Sequence, residues 1–328
     1  MAGSYIKATR VVNTMLGLLV REATLPQLVW RNPVGDFAGA FNDTVSIRLP
    51  AFATARTRTL RSGASRTKDN LYERKIDLTL DTDIYMDVPI TDEELTLDIA
   101  DFGAQVLNPV ANAIVRKYED LIASEITGAS YDETIAYVSS TDDPYEDVAV
   151  PARLKLNQAY VPLQGRVLVV GSDLEAAFLR SPNFVRASWS GTTQTLREAQ
   201  IGRVAGFDVY GSPAIPADEG YAFHQTAFAL SSRAPVVPAG CSWGAIGTYG
   251  GFAIRTVRNY DSDAVEDRFL ADAWAGTAPV TDIGHYDADP AEGGKFVPVT
   301  DPANPVSSGS AWQHDSARLV RAVKITVS

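Results

Sequence analysis

The stretch TDEELTLDIADFGAQVLNPVANAIVRKYEDLIASEITG, from Thr91 to Gly128, predicts a long helix around which the rest of the chain is organised. Thr91 is an N-cap candidate, and Glu94 follows three residues later, as in a capping box. Acidic residues crowd the first turns and basic residues come later, an order that suits the helix dipole. Gly128 stands where a C′ glycine would end the helix. A continuous helix of this length would reach about 55 Å, so we interpret the segment as a spine.

One face of the predicted spine is apolar. Its hydrophobic residues recur every four positions, which is typical of a helix that packs one stripe against a core. The stripe consists of Val106, Val110, Ile114, Tyr118 and Ile122. Pro109 lacks a backbone donor, so we expect it to kink the helix or to divide it. The alternative interpretation is therefore two ordinary core helices.

Composition places the chain among globular proteins. It has 328 residues, of which 45% are hydrophobic and 21% are charged, enough for a large core or two domains. The single cysteine, Cys241, excludes an intramolecular disulfide. The apolar runs are too short to span a membrane, and the N-terminus has no signal-peptide core. We expect a protein that folds in a cytoplasm and has no membrane partner.

Charge is distributed unevenly along the chain. The net charge is −11, which argues against a broad basic face that grips nucleic acid. The segment from Arg48 to Lys75 nevertheless carries a net +6, which leaves −17 for the rest.

This basic segment lies between two predicted strands, 44–49 and 76–88, which would pair as the base of a long hairpin. The residues between them are poor in large aliphatic side chains and cannot bury a core of their own. A loop this long is often functional, and as a two-stranded arm it would project about 40 Å. A solvated flexible loop is the alternative. Nucleic-acid binding is a weaker hypothesis because only Tyr72 and Phe52 offer stacking surfaces.

The N-terminal residues 5–31 predict an amphipathic helix that ends before Pro26, followed by an extended run. The apolar positions of the helix are Val12, Leu16, Leu19 and Val20. So much apolar surface must be covered, either by the same domain or by a neighbouring molecule.

The remaining chain mixes helices and strands without strict alternation, which indicates an α+β fold. A polar, turn-rich segment is expected over 129–146 and a Pro-, Gly- and Asp-rich loop over 277–309. Ser172 and Glu175 suggest a capping box, and Gly206 suggests a β-bulge. Helices are expected at 148–160, 172–179 and 196–199, and strands at 166–171, 201–216, 221–230 and 317–327, with a long strand pair over 247–275 joined near residues 261–263.

No catalytic, cofactor or metal site is predicted. The histidines His224, His285 and His314 are scattered, without ligand spacing. Asp261–Asp263 and Asp287–Asp289 resemble fragments of calcium loops, but the full pattern is absent and acidic turns are preferred. Cys241 has no histidine partner in sequence, and neither nucleotide-binding glycine motif occurs.

The order of these parts resembles the major capsid protein of tailed bacteriophages, with the Hong Kong 97-type fold, and is most similar to the branch of the podovirus coat protein and actinobacteriophage capsids. The resemblance covers about residues 1 to 276. The stretches that carry it are 43–50, 161–162 with 166–170, 205–210, 255–261 and 272–276.

The resemblance gives names to the parts of the chain. It implies an N-arm, an extended β-hairpin loop, a peripheral domain with the spine helix and late return strands, and an axial domain. The boundaries are 1–43 for the N-arm, 44–85 for the extended loop, 86–146 and 246–276 for the peripheral domain, 147–245 for the axial domain and 277–328 for a C-terminal extension that the resemblance does not explain.

The resemblance also implies a function. The chain would be a shell protein without enzymatic activity or cofactor, assembled in a bacterial host cytoplasm into pentamers and hexamers of an icosahedral head. The implied partners are further copies of the chain, a scaffolding protein, a portal and a decoration protein. The shell would enclose double-stranded DNA without sequence-specific binding.

A basic loop on an acidic body suggests how copies contact one another. We expect Arg56, Arg58, Arg61 and Arg66 to lie over the acidic start of a neighbour's spine, formed by Asp92, Glu93, Glu94 and Asp98. Exposed pairs contribute about 0–1 kcal/mol each, so they would fix register while apolar contacts supply affinity. Lys68 is the candidate for a crosslinking lysine of the kind some relatives use, although an ordinary loop lysine is preferred.

Three other classes compete with the phage capsid. An encapsulin, a cellular shell of the same fold, would enclose cargo enzymes in place of DNA. A calcium-dependent or hydrolytic enzyme would use the acidic loops, and would lose stability on chelation. A tail or adhesion protein would be richer in strands and would lack the spine.

Overall fold

The apolar stripe on the long helix is buried, as predicted. In the structure, a computed structural model, Val110, Ile114, Tyr118 and Ile122 lie on helix α2 (Asn108–Gly128) and are at most 1% exposed. Val106 precedes them in a π-helical turn, Gly103–Leu107. The stripe faces strands of the same structural unit, because the Tyr118 hydroxyl shares a 2.6 Å hydrogen bond with Ser232.

The ends of this helix differ from the prediction. Pro109 is the second residue of α2, at the change from π- to α-helical geometry, so it does not interrupt the helix interior. Thr91 is the last residue of a strand, and residues 92–102 lie outside the described part, so the capping box with Glu94 stays a prediction. Gly128 does end α2, but without the left-handed backbone expected of a C′ glycine. The α2 helix alone spans about 32 Å.

The structure describes residues 8–31, 44–49, 57, 59–61, 65, 74–91, 103–139, 141–181, 202–241, 243–261, 266–282, 284–287, 295–298 and 318–328. The chain divides into two units by its internal contacts. Unit 1 comprises Met1–Val45, Asp77–Thr127 and Phe228–Ala278, and unit 2 comprises Ser46–Ile76, Gly128–Ala227 and Pro279–Ser328. Within the described ranges, no helix is both long and apolar enough to cross a membrane.

The other helices are α1 (Ala8–Glu22), α3 (Val150–Gln158) and α4 (Ser172–Arg180). The first nine strands are β1 (Thr44–Leu49), β2 (Arg74–Thr79), β3 (Thr82–Thr91), β4 (Tyr131–Tyr137), β5 (Arg166–Val170), β6 (Arg203–Val204), β7 (Phe207–Gly211), β8 (Glu219–His224) and β9 (Phe228–Arg233). The later strands are β10 (Trp243–Tyr249), β11 (Phe252–Asp261), β12 (Glu266–Pro279), β13 (Gly284–Asp287), β14 (Lys295–Pro298) and β15 (Leu319–Val327).

Unit 1 is built on an antiparallel sheet in the order β10-β11-β12-β3, with β9 also paired to β12. The predicted long strand pair is β11 with β12, in a register that sets Arg255 opposite Asp272. The β3 strand pairs with β12, and Asp83 lies opposite Trp274. The late strands therefore share a sheet with β3, whereas the strands β1 and β2, with which they were candidates to share it, form a separate two-stranded sheet.

The N-terminal helix covers its own unit. Val12, Leu16 and Leu19 of α1 are buried, and α1 packs on β10 and β11. Gly247 permits this close approach, because a Cβ there would overlap Val12 and Leu16. The segment after α1 is not extended from its start, since Leu25–Gln27 forms a 3₁₀ turn. The chain becomes strand-like only at Trp30, which bridges Ala229 of β9.

The base of the predicted hairpin is present, but the alternating segment after it is two strands. The β1 and β2 strands pair as expected. The β2 strand ends before Leu80 and Asp81, which belong to no strand, and β3 then joins the unit 1 sheet. At this break the Thr79 carbonyl lies so near Gly276 of β12 that a Cβ at position 276 would overlap it.

Unit 2 contains a mixed sheet in the order β4-β15-β8-β5-β7-β6. The β4, β15, β5 and β7 strands run in one direction and β8 runs against them. Every residue of β5 is buried, as its continuous apolar sequence predicted. The α3 and α4 helices bury Leu156, Leu174 and Phe178 in the same core cluster.

Several local predictions in unit 2 are wrong. Gly206 is not a bulge: Ala205 and Gly206 both have positive φ and form the two-residue turn between β6 and β7. Ser172 is the first residue of α4, and Gly171 takes the N-cap position without a side-chain cap. The segment over 221–230 is two strands, separated by a 3₁₀ turn, Gln225–Ala227.

Two segments expected to be irregular contain strands. Residues 131–137 form β4, and the tail contains the paired strands β13 and β14. The closing strand β15 was predicted, but its place in the sheet was not. Its parallel partner β4 and its antiparallel partner β8 are both far away in sequence.

The Tyr118 hydroxyl provides a test of the core of unit 1. The side chain is fully buried, and its ring meets Phe252 edge-on with centroids 5.1 Å apart. Tyr118→Phe should lower the free energy of unfolding of the dissociated subunit by about 1–2 kcal/mol, because a buried hydrogen bond to Ser232 is lost. The matched control is Tyr249→Phe, since Tyr249 is 61% exposed. Equal destabilisation of the two variants in urea unfolding would contradict the prediction.

Candidate assembly surfaces

The basic loop contributes one described site residue. Arg61 lies in a turn with φ of 66°, and its side chain and that of Leu60 are exposed. The other predicted contact residues lie outside the described part, so their pairing across copies stays a prediction; they are Arg56, Arg58, Arg66, Lys68, Asp92, Glu93, Glu94 and Asp98.

The residues that flank the basic loop, Thr44 and Thr79, contact one another within unit 1. The hydroxyls of Thr44 and Thr79 share a 3.1 Å hydrogen bond across the first and last residues of the strand pair. Thr79 also packs against Gly276, where only a glycine fits.

One face of the unit 1 sheet carries exposed aromatic side chains. Strand alternation and register put Asp83, Tyr85 and Asp87 on the same face as Asp272 and Trp274. Tyr85 is 66% exposed and Trp274 is 42% exposed. Exposed aromatic residues of this kind are typical of protein contact surfaces.

Ion pairs surround these aromatic residues. Arg255 and Asp272 form a bidentate ion pair, with Arg255 Nε 2.8 Å from Asp272 Oδ1. Arg268 forms an ion pair with Asp87. Burial and the Asp272 carboxylate raise the pKa of Asp83, and Arg255 opposes that rise. The Arg268–Asp87 pair is partly exposed and contributes little to stability, whereas the Arg255–Asp272 pair is largely buried.

The histidines and acidic loops that the structure describes do not form a catalytic set. His224 is half-buried: Nε2 donates to the Gln164 carbonyl at 2.9 Å and Nδ1 hydrogen-bonds Thr226 at 2.8 Å. Burial lowers its pKa, so His224 is a neutral structural residue. The Cys241 thiol lies 3.7 Å from the Arg258 carbonyl. His314, Asp263 and Asp289 lie outside the described residues, as does the side chain of His285. Among the residues that are described, no three potential ligands are grouped for a metal ion.

Unit 2 has an acidic cleft that the sequence did not indicate. A cavity of about 540 Å³ opens where β4 and β15 end and α4 begins. Its lining includes the carboxylates of Asp142, Asp143, Asp173 and Asp218 and one cation, Arg180. Burial and the neighbouring carboxylates of Asp143, Asp142 and Asp147 raise the pKa of Tyr137 in the cleft wall.

A second surface of unit 2 lies where β5 begins. Tyr160 and Leu163, in the connection from α3 to β5, are 63% and 58% exposed. We call this connection, residues 160–165, the α3–β5 corner. The buried Arg166 side chain fixes the backbone of the corner. Its Nε donates to the Pro162 carbonyl at 2.8 Å and its Nη2 donates to the Val161 carbonyl at 2.6 Å.

A carboxylate on the spine caps the N-terminal segment. Glu119 of α2 accepts hydrogen bonds from the backbone N–H groups of Thr24 and Leu25, at 3.1 Å for the Leu25 bond to Oε1. These N–H groups start the 3₁₀ turn, which has no side-chain cap of its own. Thr24 and Glu119 are 95 residues apart, so no local pattern could predict this contact. Burial raises the pKa of Glu119 in spite of these hydrogen bonds.

The raised pKa of Glu119 predicts a pH dependence. A folded state that binds the proton more tightly than the unfolded chain gains stability as pH falls through the folded-state pKa, and the gain is complete below the ordinary value of about 4.5. On acidification toward that value, the wild-type subunit should therefore gain stability relative to Glu119→Gln. The measurement is chemical unfolding at a series of pH values. Glu146→Gln, the same substitution at an exposed position, is the control, and a wild-type advantage that does not change with pH would contradict the prediction.

Comparison with known proteins identifies the class. The family model described as phage capsid protein matches residues 78–290, well over half of the chain. No curated protein sequence matches. The structural similarity extends over nearly the entire chain, although sequence identity to the solved structures is low.

Three solved structures illustrate this similarity. A structure of Mycobacterium phage Che8 aligns with a TM-score of 0.59 and 19% identity, covering 93% of this chain and 91% of that one. The capsid of cyanophage P-SCSP1u gives a TM-score of 0.55 at 10% identity, with 88% and 84% covered. The mature capsid of bacteriophage PhiM1 gives 0.53 at 12% identity, with 88% and 82% covered.

The α+β fold is thus that of Hong Kong 97-type capsid proteins, as predicted, and the class is a structural protein that forms an icosahedral shell. The chain belongs to the phage capsid protein family. It is a major capsid protein and a component of the virion shell. The family match favours the phage capsid over the encapsulin alternative.

Proposed function

We propose that the chain assembles through pentamers and hexamers into the head of a tailed phage and encloses its double-stranded DNA. The match of the phage capsid family over residues 78–290 is the observation that carries this proposal. The acidic net charge of −11 agrees with DNA that is enclosed and not bound in a sequence-specific way.

The parts of the chain would divide this work. Residues 1–43 act as the N-arm, 44–85 as the extended loop, 86–146 with 246–276 as the peripheral domain, and 147–245 as the axial domain around the symmetry axes. The C-terminal extension 277–328 contains β13, β14 and β15. Because β15 lies in the middle of the unit 2 sheet, we propose that the end of this extension completes the axial domain.

The protein works without enzymatic activity or cofactor. A scaffolding protein and a portal direct its assembly in the host cytoplasm, and a decoration protein binds the finished shell. These partners follow from the capsid role, since a shell must start at one vertex and reach one size.

Electron microscopy of the purified chain tests the assembly proposal. Negative-stain images and sizing in solution should reveal closed shells or five- and six-membered rings. A soluble monomer of 35.3 kDa that gains no order when scaffolding protein is added would contradict the proposal. Shells that hold a cargo enzyme in place of DNA when isolated from their native source would favour the encapsulin alternative.

The basic loop would fix the register between neighbours. Arg56, Arg58, Arg61 and Arg66 of one copy lie over Asp92, Glu93, Glu94 and Asp98 of the next. The net +6 of the segment from Arg48 to Lys75, the exposed Arg61 and the contact between Thr44 and Thr79 support this arrangement. Lys68 remains a candidate for a crosslink within the same contact.

Charge reversal tests this contact. Replacing Arg56, Arg58 and Arg66 by glutamate should block shell formation, because attraction becomes repulsion, while circular dichroism and the unfolding midpoint stay those of the wild type. Shell yield is measured by sedimentation and electron microscopy.

The control for this reversal changes three other exposed cations, Arg10, Arg116 and Lys117, to glutamate. This control changes the net charge by the same amount as the loop variant, and it should give a higher shell yield than the loop variant. Normal shells from the loop variant would contradict the proposed contact.

A further inference from the structure

The unit 2 sheet has chemically different ends. Because β4, β15 and β5 run in the same direction, their carboxyl ends lie at one edge of the sheet and their amino ends at the opposite edge. The acidic cleft lies at the carboxyl edge, where Tyr137 and Val327 end their strands. The α3–β5 corner lies at the amino edge, immediately before Arg166.

The two ends carry opposite excess charge. Four carboxylates and one guanidinium line the cleft, and Asp173 and Asp218 form no ion pair with any described residue. At the amino edge, Arg153 donates only to the Ala205 carbonyl, at 2.6 Å, and has no carboxylate partner among the described residues. Arg166 is 2% exposed, and its Nη1 likewise lacks a hydrogen-bond partner in the described part of the chain.

The amino edge also presents a tyrosine in an unfavourable backbone conformation. The α3 helix ends in a Schellman motif: Val161 N–H donates to the Leu156 carbonyl and Tyr160 N–H donates to that of Asn157, both at 3.0 Å. Tyr160 therefore occupies the C′ position, with φ of 54°. Glycine is strongly preferred there, because any Cβ is crowded in the left-handed region.

Folding of the subunit gives no reason for a tyrosine at this position. Val161 and Leu156 supply the buried apolar contact of the motif, whereas the Tyr160 side chain is mostly in solvent. Strained residues that remain at exposed positions often mark a site of function. Tyrosine is also enriched at the centres of protein interfaces.

We propose that a second copy of this chain docks head to tail on unit 2, with Tyr160 and Leu163 of one copy seated in the acidic cleft of the next. This contact rests on the proposed shell function. The Tyr160 hydroxyl donates to a cleft carboxylate, and Leu163 packs on Ala176 and Ala177 in the wall. Arg153 faces the carboxylates across the contact.

Opposite ends of one sheet suit a second copy as the occupant. A contact between two different surfaces of the same chain is heterologous, and repetition of such a contact closes a ring when the rotation allows it. The charges are complementary, the corner is apolar, and both surfaces recur on every subunit. No foreign partner is needed to explain either surface.

Two variants test the docking. Assembly and folding are measured separately, because loss of the docking contact should lower the shell yield without destabilising the dissociated subunit. Tyr160→Gly removes the side chain and relieves the backbone, so the unfolding midpoint of the dissociated subunit should stay equal or rise while the shell yield falls about tenfold. The double variant Asp173→Lys with Asp218→Lys reverses the cleft charge at exposed positions and should also lower the yield about tenfold. Yields are measured on the full chain by sizing and negative-stain microscopy.

The matched control is Asp81→Lys with Asp120→Lys, the same double charge change at two exposed carboxylates of unit 1 that belong to neither the cleft nor the corner. It should keep a yield close to that of the wild type. Wild-type yield from Tyr160→Gly or from the cleft variant would overturn the docking, and so would an equal loss from the control. Failure of the wild type itself to form shells would instead contradict the proposed function.

Discussion

Burial of the α2 stripe is the interaction on which unit 1 depends. The side chains from Val110 to Ile126 leave water together, and each large aliphatic one contributes about 1.5–3 kcal/mol. The stripe meets strands that come from the second half of the chain, through Tyr118 with Ser232 and Phe252. The same helix also holds the N-terminal segment, because the Glu119 carboxylate accepts a hydrogen bond from the Leu25 N–H. A single helix thus joins three distant parts of the sequence.

The surfaces of the subunit follow a different principle from its core. Most buried positions in the described part of the chain are apolar, whereas charge is collected in separate patches: a basic loop, an acidic cleft and a basic sheet edge. Charges segregated in this way contribute little to folding, but they orient copies of one chain relative to one another. A shell protein needs this separation, because it must fold as a soluble subunit and then associate many times through weak, specific contacts.

Periodic patterns in the sequence predicted the elements whose burial is itself periodic or continuous. The four-residue period located the buried face of α2, and the continuous apolar run located β5. Contacts between distant residues gave no such pattern. Glu119 with Thr24, and β15 between β4 and β8, depend on tertiary packing alone. One local pattern gave a wrong prediction. Ser172 was expected to be the N-cap of α4, but Gly171 occupies that position. A side chain at position 171 is excluded, because a Cβ there would overlap the Pro216 carbonyl.

The candidate surfaces were less accessible to sequence reasoning than the fold. Composition pointed to the basic loop, and of its predicted contact residues Arg61 is described and exposed. The importance of Tyr160 is visible only from its backbone angle, since a tyrosine after a helix has no distinctive sequence context. The acidic cleft joins Asp142, Asp173 and Asp218 from three separate segments, so no spacing rule could have found it.

Hydrogen–deuterium exchange on free subunits and on assembled shells would test most directly whether core and assembly surfaces are separate. Residues 110–126 of the spine should be equally protected in both states, because their backbone hydrogen bonds lie within α2 and the apolar face of that helix is buried within one subunit. Protection should appear on assembly at residues 50–73 of the basic loop and at 160–165 of the corner. A spine that becomes protected only in the shell, or a loop and corner that exchange equally fast in both states, would contradict this division.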